Sequence, residues 1–129
     1  MPLARNQMSR NLLTVEPGAR VTEIAQRMVE RDVGAVLVLE EQRLVGILTE
    51  RDILRAVARG LDDSSTVADW MTRDPDTLEA DESTRHAATL MIHGVYRHLP
   101  VMEKDQVVGM LSIRDLMRLV LDDSAPRGA

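Results

Sequence analysis

The sequence predicts an α/β (α+β) fold built from two equivalent β-α-β-β-α halves. The main observation is an internal duplication, in which residue n matches residue n + 63 without a gap from Met8 to Gly60. Apolar positions match apolar positions almost throughout, and several pairs are identical: Met8/Met71, Arg10/Arg73, Thr14/Thr77, Glu16/Glu79, Val45/Val108, Gly46/Gly109, Arg51/Arg114, Asp52/Asp115 and Arg55/Arg118. Half a chain of this length cannot bury both faces of a sheet alone. We therefore expect the halves to pack sheet to sheet about a pseudo-two-fold axis.

The first half contains each element of this pattern in order. Glu16-Pro17-Gly18 is a turn signal after a short extended piece, and Gly60 is a typical helix stop. Apolar spacing predicts the extended piece at 12–15, a helix from Val21 to about Asp32, strands at 34–39 and 44–48, and a helix from Thr49 to Gly60.

The second half repeats this order after a polar linker. We expect a short helical turn to anchor Trp70 at the end of that linker. The predicted elements are an extended piece at 77–78, a helix from Ser83, strands at 99–102 and 107–111, and a last helix from Ser112. The predicted organisation is repeat one at 8–60, a linker at 61–70, repeat two at 71–121, a loose leader at 1–7 and a frayed tail at 122–129.

Composition excludes several functional classes. The chain has 129 residues, a net charge of −5 and no cysteine. The negative charge argues against a nucleic-acid partner, and the lack of cysteine excludes disulfides, thiol nucleophiles and most structural zinc sites. Its apolar runs are too short to cross a bilayer and its first residues do not resemble a signal peptide, which predicts a cytoplasmic protein with no membrane partner. A small anionic ligand stays possible, because it needs only a few local cations.

One short motif occurs twice, as GILTERD at 46–52 and as GMLSIRD at 109–115. Each copy lies where a strand ends and a helix begins, so unpaired backbone N–H groups and the helix dipole make it a place for an anion. Both copies also have the spacing of a capping box, with Thr49 or Ser112 as the N-cap and Asp52 or Asp115 at N3. Spacing alone favours the cap in either copy, and the two roles are compatible.

The duplicated pattern resembles the CBS domain family, named after cystathionine β-synthase. Further matching segments are Met71-Thr72, Arg97-His98-Leu99-Pro100-Val101 and Val108-Gly109, and the resemblance covers residues 8 to about 121. It implies a tandem pair, or Bateman module, that binds adenosine-containing ligands in clefts between the repeats. It also implies a homodimer and a regulated partner protein.

The resemblance also implies roles for individual residues. The motif hydroxyls Thr49 and Ser112 would contact phosphate or ribose, and Asp52 and Asp115 would accept the ribose hydroxyls. Arg51 or Arg114 would offset the adjacent carboxylate and attract phosphate, or point into solvent. The Thr49/Asp52 cleft would be completed by Thr77, Tyr96, Arg97 and His98, and the Ser112/Asp115 cleft by Thr14, Val33, Gly34 and Ala35.

We expect these two clefts to be unequal. One contains the basic pair Arg97-His98, where the other has the small, neutral Gly34-Ala35. This difference predicts that the Thr49/Asp52 cleft favours a phosphorylated ligand and that the other is weaker or takes a less charged one.

Other candidate sites are weaker. His86 and His93 are seven residues apart on one predicted helix, but without cysteine or a carboxylate pair on that face we expect solvated histidines and no metal site. No nucleophile–base set and no glycine-rich phosphate loop is present, which predicts a non-enzyme that needs no cofactor. The expected ligand is AMP, ADP or ATP, with S-adenosylmethionine or NADH ranked behind them. The alternative function is a dimerisation scaffold with empty clefts, and an enzyme ranks third.

Overall fold

The computed structural model describes residues 2–124 and confirms the mixed α/β fold. Within those residues the chain forms, in order, α1 Ala4–Gln7, β1 Thr14–Val15, α2 Val21–Arg31, β2 Ala35–Glu40, β3 Arg43–Thr49, α3 Glu50–Ala58, α4 Val67–Trp70, β4 Thr72–Arg73, β5 Leu78–Glu79, α5 Thr84–Gly94, β6 His98–Glu103, β7 Gln106–Ser112 and α6 Ile113–Ser124.

The first compact unit comprises residues 12–75. Its sheet has the order β1-β2-β3-β4, in which β1 and β2 are parallel and the other neighbours are antiparallel. The β2–β3 hairpin turns through Glu41 and Gln42, which both have positive φ angles, as a two-residue hairpin requires. Apolar residues of β1–β3 and α2 form the core, and Trp70 packs against it as predicted.

The second compact unit combines residues 2–11 with residues 76–124. Its sheet has the order β5-β6-β7, with β5 parallel to β6 and β6 antiparallel to β7. Its hairpin turns through Lys104 and Asp105, again with positive φ angles. The repeated sequence thus produces a repeated hairpin, and the β2–β3 and β6–β7 registers match residue for residue at the offset of 63.

The duplication begins earlier than the sequence suggests. Helices α1 and α4 occupy equivalent positions 63 residues apart, although their sequences, ARNQ and VADW, have no identical residue at any equivalent position. Ala4 is fully buried, and its N–H donates to the Glu82 carbonyl at 2.8 Å. The expectation of a loose leader at 1–7 is therefore wrong for residues 2–7, because a small apolar residue and backbone hydrogen bonds attach this segment to the second unit.

The segment after each short helix joins a sheet edge. Ser9 bridges to Met110 of β7, and Thr72 of β4 pairs with Ile47 of β3. A glycine makes each approach possible. A Cβ on Gly46 would lie 2.6 Å from the Met71 sulfur, and one on Gly109 would clash with the Met8 sulfur. The sequence pattern does not indicate these edge pairings.

The helix ends agree with the predictions in part. Helix α2 ends at Asp32 in the left-handed conformation, and α5 ends in the same way at Val95. Aspartate tolerates this conformation, whereas a β-branched valine is strained there. Residues 122–124, where the frayed tail is predicted to begin, continue α6, and residues 125–129 lie outside the described residues.

Candidate functional site

Asp52 is the buried centre of the first copy of the motif. Its residue is 3% exposed, and it stands at N3 of α3. Its Oδ2 accepts hydrogen bonds from the Thr49 N–H at 2.9 Å and from the Thr49 hydroxyl at 3.1 Å, while the Asp52 N–H donates to the Thr49 hydroxyl oxygen at 3.2 Å. This is the capping box that the spacing predicts.

Two further side chains reach the Asp52 carboxylate. Arg55 Nη1 donates to Oδ1 at 3.2 Å, one helical turn further along α3. The Thr72 hydroxyl, on the edge strand β4, lies 3.2 Å from Oδ1 and 3.4 Å from Oδ2. Charge-assisted hydrogen bonds are stronger than neutral ones, so this cluster holds the carboxylate firmly in one orientation.

Asp115 has the equivalent place in the second unit and is 8% exposed. Its Oδ2 accepts from the Ser112 N–H at 2.8 Å and from the Ser112 hydroxyl at 3.0 Å, and the Asp115 N–H donates back to that hydroxyl oxygen at 3.2 Å. Arg118 Nη1 donates to Oδ1 at 3.3 Å. In both units, therefore, a hydroxyl N-cap, a buried carboxylate and an arginine form the same hydrogen-bonded arrangement.

The arginines that pair with these carboxylates are Arg55 and Arg118, whereas Arg51 and Arg114 agree with the alternative that they point into solvent, and their contact with phosphate stays a prediction. The last two are exposed, and within residues 2–124 neither forms an ion pair. Residues three apart share a helix face, whereas adjacent residues do not, which explains why Arg55 and Arg118 make these contacts. The sequence signal was available, because Arg55 and Arg118 are identical at the offset of 63.

Each motif has a distinct neighbour on the preceding strand of its own unit. Thr49 pairs with Ala35, and the Glu50 N–H donates to the Gly34 carbonyl at 3.0 Å. In the second unit, the corresponding contacts bring a basic dipeptide beside the motif. Ser112 pairs with His98, and the Ile113 N–H donates to the Arg97 carbonyl at 2.9 Å.

Tyr96 forms contacts inside the second unit. Its hydroxyl donates to Asp76 Oδ2 at 2.8 Å, and its ring lies where a Cβ on Gly94 would be. Burial raises the pKa of the Tyr96 hydroxyl, and the hydrogen bond to Asp76 raises it further. The hydroxyl therefore stays protonated, and the ring is held against its own helix end.

The remaining predicted residues are distributed over the two units. Thr14, in β1, and Thr77, just before β5, are exposed, and Val33, Gly34 and His98 are half-buried. Thr14 also borders an open groove of about 600 Å³ shared with Arg27 and Gln42. The shared clefts implied by the sequence resemblance stay a prediction.

The described residues offer no alternative metal centre. His86 Nε2, on α5, lies 3.5 Å from Oε2 of Glu82, which precedes that helix, and His93 is exposed. Within residues 2–124, no three histidine or carboxylate side chains converge in a way that could hold a metal ion. Over the same residues, no helix has the length and apolar character needed to cross a membrane.

The fold and the two motifs define a class: paired α/β repeats, each with a capped carboxylate where its last strand meets its last helix. The CBS domain family model matches the chain twice, at residues 5–59 and 67–122. The chain belongs to the CBS domain family.

Curated relatives support this assignment. The CBS domain-containing protein YhcV of Bacillus subtilis is 32% identical over 117 residues, covering 90% of this chain and 84% of YhcV. A 17.7 kDa protein of Acidianus ambivalens is 38% identical over 110 residues, covering 84% of this chain and 66% of that protein. The chain spans 44% of a further relative, MJ1225 of Methanocaldococcus jannaschii, at 30% identity over 122 residues and 94% of this chain.

Solved structures have the same fold and include ligand complexes. The CBS domain protein PAE2072 of Pyrobaculum aerophilum, solved in complex with AMP, has a TM-score of 0.85 at 30% identity, covering 96% of this chain and 98% of that one. The CBS domain pair of MJ0100, solved with 5′-methylthioadenosine and S-adenosyl-L-methionine, has a TM-score of 0.88 at 26% identity, covering 96% and 99%.

Proposed function

We propose that this chain is a regulatory module that binds an adenosine-containing ligand at its hydroxyl–aspartate motifs. The observation that carries the proposal is the pair of capped, buried carboxylates in a CBS pair similar to proteins solved with AMP or S-adenosyl-L-methionine. AMP, ADP and ATP are the preferred candidates, ahead of S-adenosylmethionine and NADH. No cofactor and no catalytic step forms part of the proposal.

The chemistry of the motif supports this function. A ribose presents two vicinal hydroxyls, and a carboxylate that accepts them gains charge-assisted hydrogen bonds of about 1.5–3 kcal/mol each. The positive ends of the α3 and α6 helix dipoles favour a phosphate oxygen nearby. Binding regulates a partner protein only if the ligand has different affinities for two arrangements of the module.

The alternative is a dimerisation scaffold without a ligand. The observation that favours it is the completeness of both capping boxes, which explains the two motifs by helix stability alone. In that case the carboxylates contribute to folding and the chain acts through its surfaces.

Thermal unfolding with a ligand panel separates these two functions. We expect one of AMP, ADP, ATP, S-adenosylmethionine or NADH, at 100 times its dissociation constant, to stabilise the protein by about 2.7 kcal/mol. The gain should fall when Asp52 and Asp115 are both replaced by alanine, whereas Asp63→Ala, an exposed aspartate, should keep it. The same panel without any shift would favour the scaffold, and a shift that survives the double substitution would refute these sites.

We also propose that the chain forms a homodimer through the exposed faces of α3 and α6. Leu54 and Met117 occupy equivalent positions and are 69% and 57% exposed, and the equivalent pair Val57 and Val120 is 59% and 65% exposed. Apolar side chains exposed at the same positions in both halves are typical of a surface that another protein covers.

Light scattering tests the homodimer. We expect a mass of twice the 14.4 kDa chain for the wild type and of one chain for Leu54→Glu/Met117→Glu. Val95→Asn removes an exposed valine outside α3 and α6 and should leave the dimer intact. A monomeric wild type would refute the homodimer without affecting the ligand proposal.

A further inference from the structure

The two motif carboxylates differ in how many hydrogen-bond donors they already accept from. A carboxylate has about four lone-pair positions. Asp52 accepts from four donor groups: the Thr49 N–H, the Thr49 hydroxyl, Arg55 and the Thr72 hydroxyl. All of its positions are therefore occupied by the protein's own groups, and its side chain is only 4% exposed.

Asp115 accepts from three donor groups, which are the Ser112 N–H, the Ser112 hydroxyl and Arg118. Its Oδ1 accepts only from Arg118 among the described contacts, and its side chain is 10% exposed. One acceptor position is therefore open, next to a surface that a ligand can reach. A ribose hydroxyl can bind there without displacing a protein group.

The additional donor at Asp52 comes from Thr72, whose equivalent in the second unit is Ser9. Thr72 pairs with Ile47 at the edge of the first sheet, and Ser9 bridges to Met110 at the same place in the second. The Thr72 hydroxyl donates to Asp52, whereas the Ser9 hydroxyl oxygen accepts from the Asn11 N–H at 3.2 Å. β-Branching restricts the threonine side chain to few rotamers, which keeps its hydroxyl on the carboxylate.

The charge next to each motif also favours ligand binding at the second motif. Ser112 has His98 as its cross-strand partner and Arg97 beside it, whereas Thr49 has the neutral Ala35 and Gly34 in these places. A basic dipeptide at a helix N-terminus increases the attraction for an anion. Two separate observations thus favour the second motif.

We infer that the Ser112/Asp115 motif is the principal ribose-binding site of this chain and that Thr72 is a specificity-determining residue that closes the Asp52 motif. The inference rests on the proposed function and assigns that function unequally to the two halves. Thr72 occupies on Asp52 the acceptor position that a ribose hydroxyl needs, and a ligand must displace it to bind there.

Calorimetric titration of the full chain with AMP tests this assignment. We expect one tight AMP site per chain, weakened by ~10-fold or more in Asp115→Asn and by less than about threefold in Asp52→Asn. Asparagine keeps an acceptor oxygen for the helix cap, so both variants should fold, and circular dichroism verifies this. Thr72→Val removes the hydroxyl at constant shape and should tighten a second AMP site by ~10-fold. Ser9→Val is the matched control and should change neither site.

Each outcome of the titration has a definite meaning. The inference would be overturned by two equal sites, by a larger loss of AMP affinity in Asp52→Asn than in Asp115→Asn, or by a Thr72→Val titration identical to that of the wild type. Each of these results would leave the proposed function intact. If the wild type binds none of AMP, ADP, ATP, S-adenosylmethionine and NADH, the proposed function fails and this assignment fails with it.

Discussion

Asp52→Ala should lower the free energy of unfolding by about 3 kcal/mol in the absence of ligand. The N-cap bond from the Asp52 N–H to the Thr49 hydroxyl oxygen uses the Asp52 backbone and survives the substitution. The substitution does remove the acceptor of the part-buried Thr49 N–H, and a buried donor left without a partner costs about 1–3 kcal/mol. It also removes the charge-assisted bond of the Thr72 hydroxyl, which belongs to an exposed residue and contributes about 1 kcal/mol. Arg55 is 48% exposed, so water replaces most of its lost contact.

Asp115→Ala provides the matched comparison. Asp115 has the same cap and arginine but no contribution from Ser9, so its loss should cost about 2 kcal/mol. Urea unfolding at neutral pH measures both values, and Asp63→Ala should stay within about 0.5 kcal/mol of the wild type. Equal costs for the two motif aspartates would contradict the role given to the Thr72 hydroxyl.

The sequence was sufficient to predict the repeated strands, helices and caps. An ungapped offset of 63 residues fixes equivalent positions, and the three-residue spacing from Thr49 to Asp52 fixes the capping geometry within one helical turn. Such features depend on neighbours close in sequence, where helical and strand periodicities determine which side chains meet. The predicted contact of each hydroxyl with its aspartate follows from the same local geometry.

The features that were not predicted from the sequence depend on contacts between segments that are distant along the chain. The Thr72 hydroxyl reaches Asp52 across 20 residues of sequence, because β4 joins the edge of β3. The two residues of β4 are too few to show a strand periodicity. Helix α1 was missed for a related reason, since its ARNQ sequence has no residue identical to that at the equivalent position in VADW of α4 and only the backbone reveals their equivalence.

The ranking of the two motifs also depends on which neighbours are counted. The prediction favouring Thr49/Asp52 assigned Arg97 and His98 to the opposite half. Within the second unit these residues lie beside Ser112, and the Thr72 hydroxyl occupies Asp52. The AMP titration of the aspartate variants therefore decides between two explicit assignments.

Gly46→Ala should destabilise the protein by about 2–3 kcal/mol, because overpacking at a close approach forces the neighbouring backbone to move. Its Cβ would lie 2.6 Å from the Met71 sulfur and 3.0 Å from the Thr72 carbonyl oxygen. The sulfur belongs to a flexible side chain and can shift, but the carbonyl is part of β4. Relieving the clash therefore moves β4 outward, and the Thr72 hydroxyl with it.

Gly109→Ala and Gly18→Ala complete this experiment. A Cβ on Gly109 meets only Met8 side-chain atoms among its three nearest contacts, whereas a Cβ on Gly18 meets nothing within 4 Å. We expect a cost of about 1–2 kcal/mol for the former and a change within about 0.5 kcal/mol for the latter, measured by urea unfolding. A Gly46→Ala variant as stable as Gly18→Ala would show that β4 does not press on β3. In that case β4 would not hold the Thr72 hydroxyl in contact with the Asp52 carboxylate.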